Sequence, residues 1–328
     1  MKPTQVERAL RTAIQARRPA FVWGPPGVGK SDVVAKTAES LGRQLRDMRL
    51  SLCDPTDLKG FPSPDKKAGV TRWLPTDELP TKKDGSGILF LDELNAAPQA
   101  VQAAAYQLLL NRRIGNYELP DDWDIVAAGN RDTDRGATHR MPAPLSNRLI
   151  HIDYEVNLDD WSRWAIDNNI KTEVLGFLRF RPNLLHAFDA NQRAFPTPRS
   201  WQFVNELLEQ GLDDDLRFEM LKGTVGEGAA AELEGFLRTY QHMPSPDAIL
   251  LNPDAVEVPE DPATLYALST ALGSRTTVQN VGNVMKYADR MPVEFNIVTV
   301  RDAARYQPGI TATRPFIDWS TKHSEILL

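Results

Sequence analysis

Residues 24–31 read GPPGVGKS, and the fold follows from them. The spacing is G-x-x-x-x-G-K-[ST], and both flanks suit it. An apolar run, AFVW at 20–23, precedes it, and the helical period of Val33, Val34, Thr37, Ala38 and Leu41 follows. A strand that enters a glycine-rich turn and leaves as a helix points backbone amides and a helix N-terminus at an anion. The phosphate-binding segment is therefore expected over Gly24, Pro25, Pro26, Gly27, Val28, Gly29, Lys30, Ser31 and Asp32. Gly27 and Gly29 let the backbone wrap closely, Lys30 reaches the β and γ phosphate oxygens, and the Ser31 hydroxyl offers a ligand to Mg²⁺. A plain turn would account for GPPG, but not for Lys30 and Ser31 at the helix start.

Working outward, residues 20–154 alternate short apolar runs (AFVW, MRLSL, ILFL, DIVAA, LIHIDY) with helix-like stretches. That is the pattern of an α/β layer around a largely parallel, buried sheet. ILFL is apolar throughout, as a central strand is, whereas LIHIDY alternates Ile150, Ile152 and Tyr154 with polar partners, as a half-exposed edge strand does. In MRLSL the alternating positions are Met48, Leu50 and Leu52. ILFLDE ends in Asp92 and Glu93, and strand ends in such sheets face the ligand crevice. Asp92 is placed to hold Mg²⁺, often through water, and Glu93 to polarise an attacking water. DIVAAGN ends at Asn130, whose amide can bridge the γ-phosphate and the nucleophilic water. The alternative is an Asn that merely takes a positive φ beside Gly129.

From about 157 the strand signal fades, and DDWSRWAIDNN, TEVLGFLRF and SWQFVNELLEQ have helical period. A Pro-rich stretch at 242–265 then leads to a final mixed region. The organisation expected is 1–156 as the α/β nucleotide-binding domain, 157–242 as a helical lid, and 243–328 as an acidic C-terminal extension. Net charge is −6, unevenly spread: residues 1–200 carry 28 Lys+Arg against 25 Asp+Glu, and 201–328 carry 10 against 19. An acidic C-terminal part argues against broad nucleic-acid binding. No apolar run is long enough to span a bilayer, the N-terminus has no export signal, and the one cysteine, Cys53, permits no internal disulfide framework. A protein of the cytoplasm, away from membranes, is expected.

The order GPPGVGKS, LFLDE, GN at a strand end, SNR before the next strand, and PR near 199 resembles the AAA+ ATPases. The match looks nearer to their MoxR family, through CDPTDLKGF, RWLP, DELNAAPQAVQAAAYQLLLNRRIG and AFPTPRSW, and it covers roughly residues 18–210. The resemblance implies an AAA+ P-loop core with a helical lid, an ATP hydrolase using ATP and Mg²⁺, and a homo-oligomeric, hexameric ring. It implies a chaperone-like remodelling of a protein partner, with von Willebrand factor A domain proteins the expected class. It also places an arginine finger at Arg148, acting on the neighbouring subunit's nucleotide, and a sensor arginine at Arg199, acting in its own subunit. Each role calls for a planar, permanently charged fork on phosphate oxygens.

Arg140 is a second candidate for a trans contact, with ordinary solvation the alternative; Arg131 and Arg135 have no assigned role. Residues 111–119, NRRIGNYEL, read as a hairpin with a Gly-Asn turn. In 54–74, Phe61 and Trp73 either face a channel or pack into the core. Arg112 and Arg113 on the hairpin support a competing reading as a nucleic-acid motor or restriction-type NTPase.

Overall fold

The computed structural model describes residues 1–131, 141–189 and 191–324. The chain divides into two units, Met1–Asn157 and Leu158–Leu328. In the first, the amphipathic N-terminal segment forms helix α1 (Pro3–Gln15), which buries Val6, Leu10, Ala13 and Ile14. AFVW forms strand β1 (Ala20–Trp23), and the glycine-rich turn leads into α2 (Lys30–Ser40). Then come β2 (Gln44–Arg49), α3 (Pro55–Lys59), a hairpin of β3 (Phe61–Asp65) and β4 (Val70–Leu74), and β5 (Gly87–Asp92). Helix α4 (Gln99–Asn111), a short hairpin of β6 (Arg113–Ile114) and β7 (Tyr117–Glu118), β8 (Trp123–Gly129), α5 (Ala143–Ser146) and β9 (Ile150–Asp153) complete the unit.

The main sheet has the order β2-β5-β8-β1-β9, and every neighbouring pair is parallel. Trp23 pairs with both Gly129 and Asp153, and Arg49 with Asp92, so the strands end together along one edge. Alternation along each strand feeds two apolar clusters. Phe21, Leu89, Leu91, Trp123, Ile125 and Ala127 pack with residues of α4 on one face. Val22, Ile88, Phe90, Val126 and Ala128 pack with α1 and α2 on the other. Strands β5 and β8 are buried at every residue, which is why their sequence is mostly apolar; Asp124 in β8 is buried with Arg17 and Arg43 as its partners, and Asp92 closes β5. This is the expected α/β layer, a parallel sheet with helices packed on both faces.

One reading is corrected, and one of two open alternatives is narrowed. The second strand is Gln44–Arg49, not MRLSL, and Leu50–Leu52 forms a 3₁₀ turn in which Cys53 N–H donates to the Leu50 carbonyl. An edge strand with one partner needs few apolar residues, and β2 buries only Met48, so its hydrophobic signal is faint. Phe61 does not enter the core: it is 60% exposed on β3, while Trp73 is half-buried on β4 with Lys59 Nζ 5.3 Å from its ring centroid. The 111–119 segment is the expected antiparallel hairpin, with Arg113 opposite Glu118 and Ile114 opposite Tyr117.

The second unit is helical throughout its regular elements: α6 (Leu158–Asp167), α7 (Thr172–Phe180), α8 (Pro198–Glu209), α9 (Asp214–Val225) and α10 (Glu227–His242). They are followed by α11 (Pro246–Leu251), α12 (Pro262–Arg275), α13 (Val281–Ala288), α14 (Val293–Tyr306) and α15 (Arg314–Lys322). The region expected to be mixed is thus all helix, and α12 is buried along almost its whole length. The residues after 242 share one unit with those before it. Arg179 of α7 and Asp302 of α14 form a bidentate pair, both side chains nearly inaccessible.

Candidate nucleotide site

The glycine-rich turn sits at the strand-end edge of the sheet. Gly29, the residue before α2, has φ 94°, a conformation that leaves no room for a side chain's strain, and Gly27 has φ 75°. Val28 is buried and anchors the turn, and Tyr154 lies beneath it, its N–H donating to the Trp23 carbonyl at 2.7 Å. Asp32 lies in the first turn of α2, where a carboxylate favours the helix dipole. Pro25 and Pro26 are half-exposed.

Lys30 is buried, and its ammonium donates to the carbonyls of Gly24 at 2.6 Å and Pro25 at 2.9 Å and to Asn130 Oδ1 at 2.9 Å. Ser31 Oγ donates to Asp92 Oδ2 at 2.9 Å. Asp92 is buried at the end of β5, and its other oxygen accepts the Glu93 N–H at 2.8 Å. The structure therefore brings together Lys30, Ser31, Asp92, Glu93 and Asn130, all expected from sequence. Ser31 and Asp92 offer two hard oxygens side by side, the donor set Mg²⁺ takes when phosphates and water fill its remaining positions. No cluster of three or more metal-ligating side chains occurs among the described residues, so an all-protein cage for the ion is not present there. Asp47 on β2 has its carboxyl pushed above the usual value, by desolvation first and by the Asp92 charge second. Negative charge thus accumulates at these strand ends, where a divalent cation would offset it.

Glu93 is held by two groups that sequence reasoning missed. Ser51 Oγ donates a short hydrogen bond to Glu93 Oε2, and Arg49 Nε lies 3.8 Å from Oε1. Glu93 also has φ 55°, rare for a residue with a side chain and costing roughly 1–3 kcal/mol. Arg49 is the last residue of the edge strand that hydropathy misplaces, and Ser51 lies in the 3₁₀ turn after it.

Asn130 does not take a positive φ, which removes the bland alternative for it. Its main chain is clamped by the buried Asn95: Asn95 Nδ2 donates to the Asn130 carbonyl at 2.7 Å, and Asn130 N–H donates to Asn95 Oδ1 at 3.2 Å. Gly129 makes this possible, because a Cβ there would lie 2.1 Å from Asn95 Oδ1. Arg131 ties the same turn to β9, with Nε 3.3 Å from Asp153 Oδ1 and Nη2 donating to the Tyr154 carbonyl at 3.0 Å. Arg135 and Arg140 lie outside the described residues.

Arg148 follows α5, is exposed, and has no ion-pair partner among the described residues. In the second unit, Arg199 is exposed in the first turn of α8, behind a Thr197–Ser200 capping box. A cation at a helix N-terminus opposes the dipole, so helix stability is not what favours it. Arg112, by contrast, donates to the carbonyls of Pro120 and Trp123 at 2.9 and 2.7 Å, a structural use; Arg113 is exposed.

Comparison with known proteins agrees with this geometry. Residues 19–149 match the AAA domain (dynein-related subfamily). The chain is 31% identical over 189 residues to midasin of Giardia intestinalis, 54% of this chain but 4% of that protein. It is 27% identical over 158 residues to midasin of Dictyostelium discoideum, 44% of this chain and 3% of that one. The chain thus spans only a few per cent of the length of these relatives. Among solved structures, Thermotoga maritima RuvB is 14% identical, covering 83% of this chain and 82% of that chain at a TM-score of 0.41. Brucella abortus NtrX in complex with ADP is 14% identical, covering 87% and 64% at 0.44. The likeness to the AAA domain, dynein-related subfamily, thus falls within the first unit and takes in both the phosphate loop and the acidic strand end behind it.

Proposed function

We propose that this chain is a MoxR-like AAA+ ATPase that binds ATP with Mg²⁺, works as a homo-oligomeric, hexameric ring, and spends hydrolysis on remodelling or activating a protein partner. The observation that supports it most is the convergence of Lys30, Ser31, Asp92, Glu93 and Asn130 at one end of the sheet. Gly24–Ser31 would cradle the phosphates, Ser31 and Asp92 would hold the metal, and bound Mg²⁺ supplies charge neutralisation on the phosphates. Glu93 orients and polarises the attacking water, and Asn130, fixed by Asn95, holds its amide beside the Lys30 ammonium. Arg148, exposed and unpaired among the described residues, serves a neighbour's site, and Arg199 acts in cis from the helical unit.

The resemblance makes a von Willebrand factor A domain protein the partner class to try first. A nucleic-acid motor is the weaker reading, because Arg112 is committed to carbonyls and the C-terminal part is acidic. No described helix is long and apolar enough to cross a membrane.

Mixing two variants tests the proposal. Glu93→Gln binds ATP and hydrolyses it very slowly, while Arg148→Ala keeps its own site but cannot complete a neighbour's. Mixed rings regain interfaces with both groups, so hydrolysis rises above either variant alone. No recovery at any ratio refutes Arg148 acting in trans, and wild-type turnover by Glu93→Gln refutes the site.

A further inference from the structure

Trp23 is the last residue of β1 and immediately precedes the phosphate loop; Arg148 lies between α5 and β9. A single side chain joins Trp23 to the end of α5. Trp23 Nε1–H donates to His151 Nδ1 at 2.8 Å, and the two rings meet edge to edge, their centroids 5.9 Å apart and their planes 24° apart. The far nitrogen of His151, Nε2, lies 2.8 Å from the Ser146 carbonyl and 3.1 Å from its hydroxyl. Ser146 is the last residue of α5, and Arg148 N–H donates to Leu145 O within the same turn at 2.9 Å.

The indole is a donor only, so the nitrogen facing it must be the unprotonated one. The proton of the neutral ring then sits on Nε2 and points at the Ser146 carbonyl, an acceptor only. Trp23 thereby selects the tautomer that lets His151 hold α5, as a second partner commonly does for a functional imidazole. Phe21, at 4.2 Å from the Trp23 ring, keeps the indole in place from within the core. His151 is exposed on an edge strand, where a hydrogen-bonded imidazole adds little stability, yet both nitrogens are assigned.

We propose that His151 is a positioning residue: with its tautomer set by Trp23, it fixes the end of α5 against the phosphate-loop strand and so registers Arg148 toward the neighbouring subunit's nucleotide. The inference rests on the trans role proposed for Arg148. Its mechanism is geometric. A finger arginine contributes through placement on transferring phosphate oxygens, and a displacement of about 1 Å costs on the order of 10²-fold in rate. The loss falls on kcat rather than on KM for ATP, because the interaction belongs to the transition state.

The test uses the mixed ring described above, with His151→Phe, which keeps an aromatic ring and loses both hydrogen bonds, added to one variant at a time. On the Glu93→Gln subunit, which lends its Arg148, it should lower the restored kcat about tenfold with KM little changed. On the Arg148→Ala subunit, which owns the working site, the loss should be far smaller. Trp23→Phe, which keeps the aromatic packing and removes only the N–H, should give the same one-sided loss to a lesser degree. Equal losses from both positions, or none from either, overturn the inference while leaving the trans reading intact. Failure of the parent mixture to recover any hydrolysis overturns both.

Discussion

Replacing Asn95 by alanine removes both hydrogen bonds that clamp the main chain of Asn130 and leaves an N–H and a carbonyl without their partners. Removing one partner and leaving the other group unsatisfied costs about 1.5 kcal/mol for each of the two bonds where burial is partial. A small cavity at a position 1% exposed adds to this, so the total loss is about 3–4 kcal/mol. For a unit of this length each kcal/mol moves Tm by about 2–4 °C, giving a drop of roughly 6–16 °C. The transition to follow in calorimetry is the one that ATP raises, since it reports the nucleotide-binding unit rather than the helical one. In single-turnover hydrolysis the same variant should lose about 10- to 100-fold, because the Asn130 amide is no longer registered beside Lys30. Asn95→Asp should be no better: its carboxylate can accept the N–H but turns an oxygen toward the Asn130 carbonyl. A Tm within about 2 °C of the parent, or an Asp variant as stable as the parent, would refute the clamp.

Other outcomes follow from packing and charge. Asp302→Ala should cost about 3–5 kcal/mol by stranding the buried Arg179, and Arg179→Met combined with Asp302→Leu should recover most of it in denaturant melts. Gly129→Ala should cost about 3 kcal/mol, its methyl being forced to 2.1 Å from Asn95 Oδ1 and 2.8 Å from the Phe21 ring. Gly235→Ala, in open space on α10, should stabilise by about 1 kcal/mol in the same melts. Asp65 in the β3–β4 turn accepts from Ala68 and Lys67 N–H and from Arg72, which holds its carboxyl below the usual range. With the folded value depressed, its stabilisation is present above the ordinary carboxylate value and lost as pH falls through the folded one. The Lys67 and Ala68 amide NMR shifts should therefore move together at that lower pH, and Asp65→Asn should abolish the step.

The parts of the site that lie on one chemical motif were readable in sequence because the chemistry fixes both residue type and spacing. Lys30 and Ser31 had to follow the turn, and the fully buried β5 had to end in the acids that face the ligand. Asn95 and Ser51 gave no such signal. Each acts through a contact between segments far apart in sequence, Asn95 on Asn130 and Ser51 on Glu93, and a polar residue in a loop carries no period that would reveal its partner. His151 was hidden for a related reason: the alternation of LIHIDY marks it as the polar, outward position of an edge strand, and only the neighbouring β1 shows what the ring touches. The second unit was legible as helix through residue 242, the apolar period being clearest in α6, α7 and α8. Helix α12 escaped notice because burial on all sides removes the stripe that a surface helix shows.

The β3–β4 hairpin leaves Phe61, Val70 and Leu74 in water on strands with open edges, the arrangement most prone to strand-on-strand stacking. Its composition disarms that hazard. Pro62 and Pro64 alternate along β3 and so project their backbone nitrogens to the same side, opposite Trp73 and Thr71 in register. A proline nitrogen carries no hydrogen, so the ladder to β4 relies on Phe61, Ser63 and Asp65, and the missing donors are those of the outer margin. Another strand meeting that margin would find acceptors without donors. The apolar side chains remain free to touch a visitor sideways, while the backbone of β3 refuses it as an added strand along that margin, which leaves β4 as the one side of the hairpin where a further strand could pair.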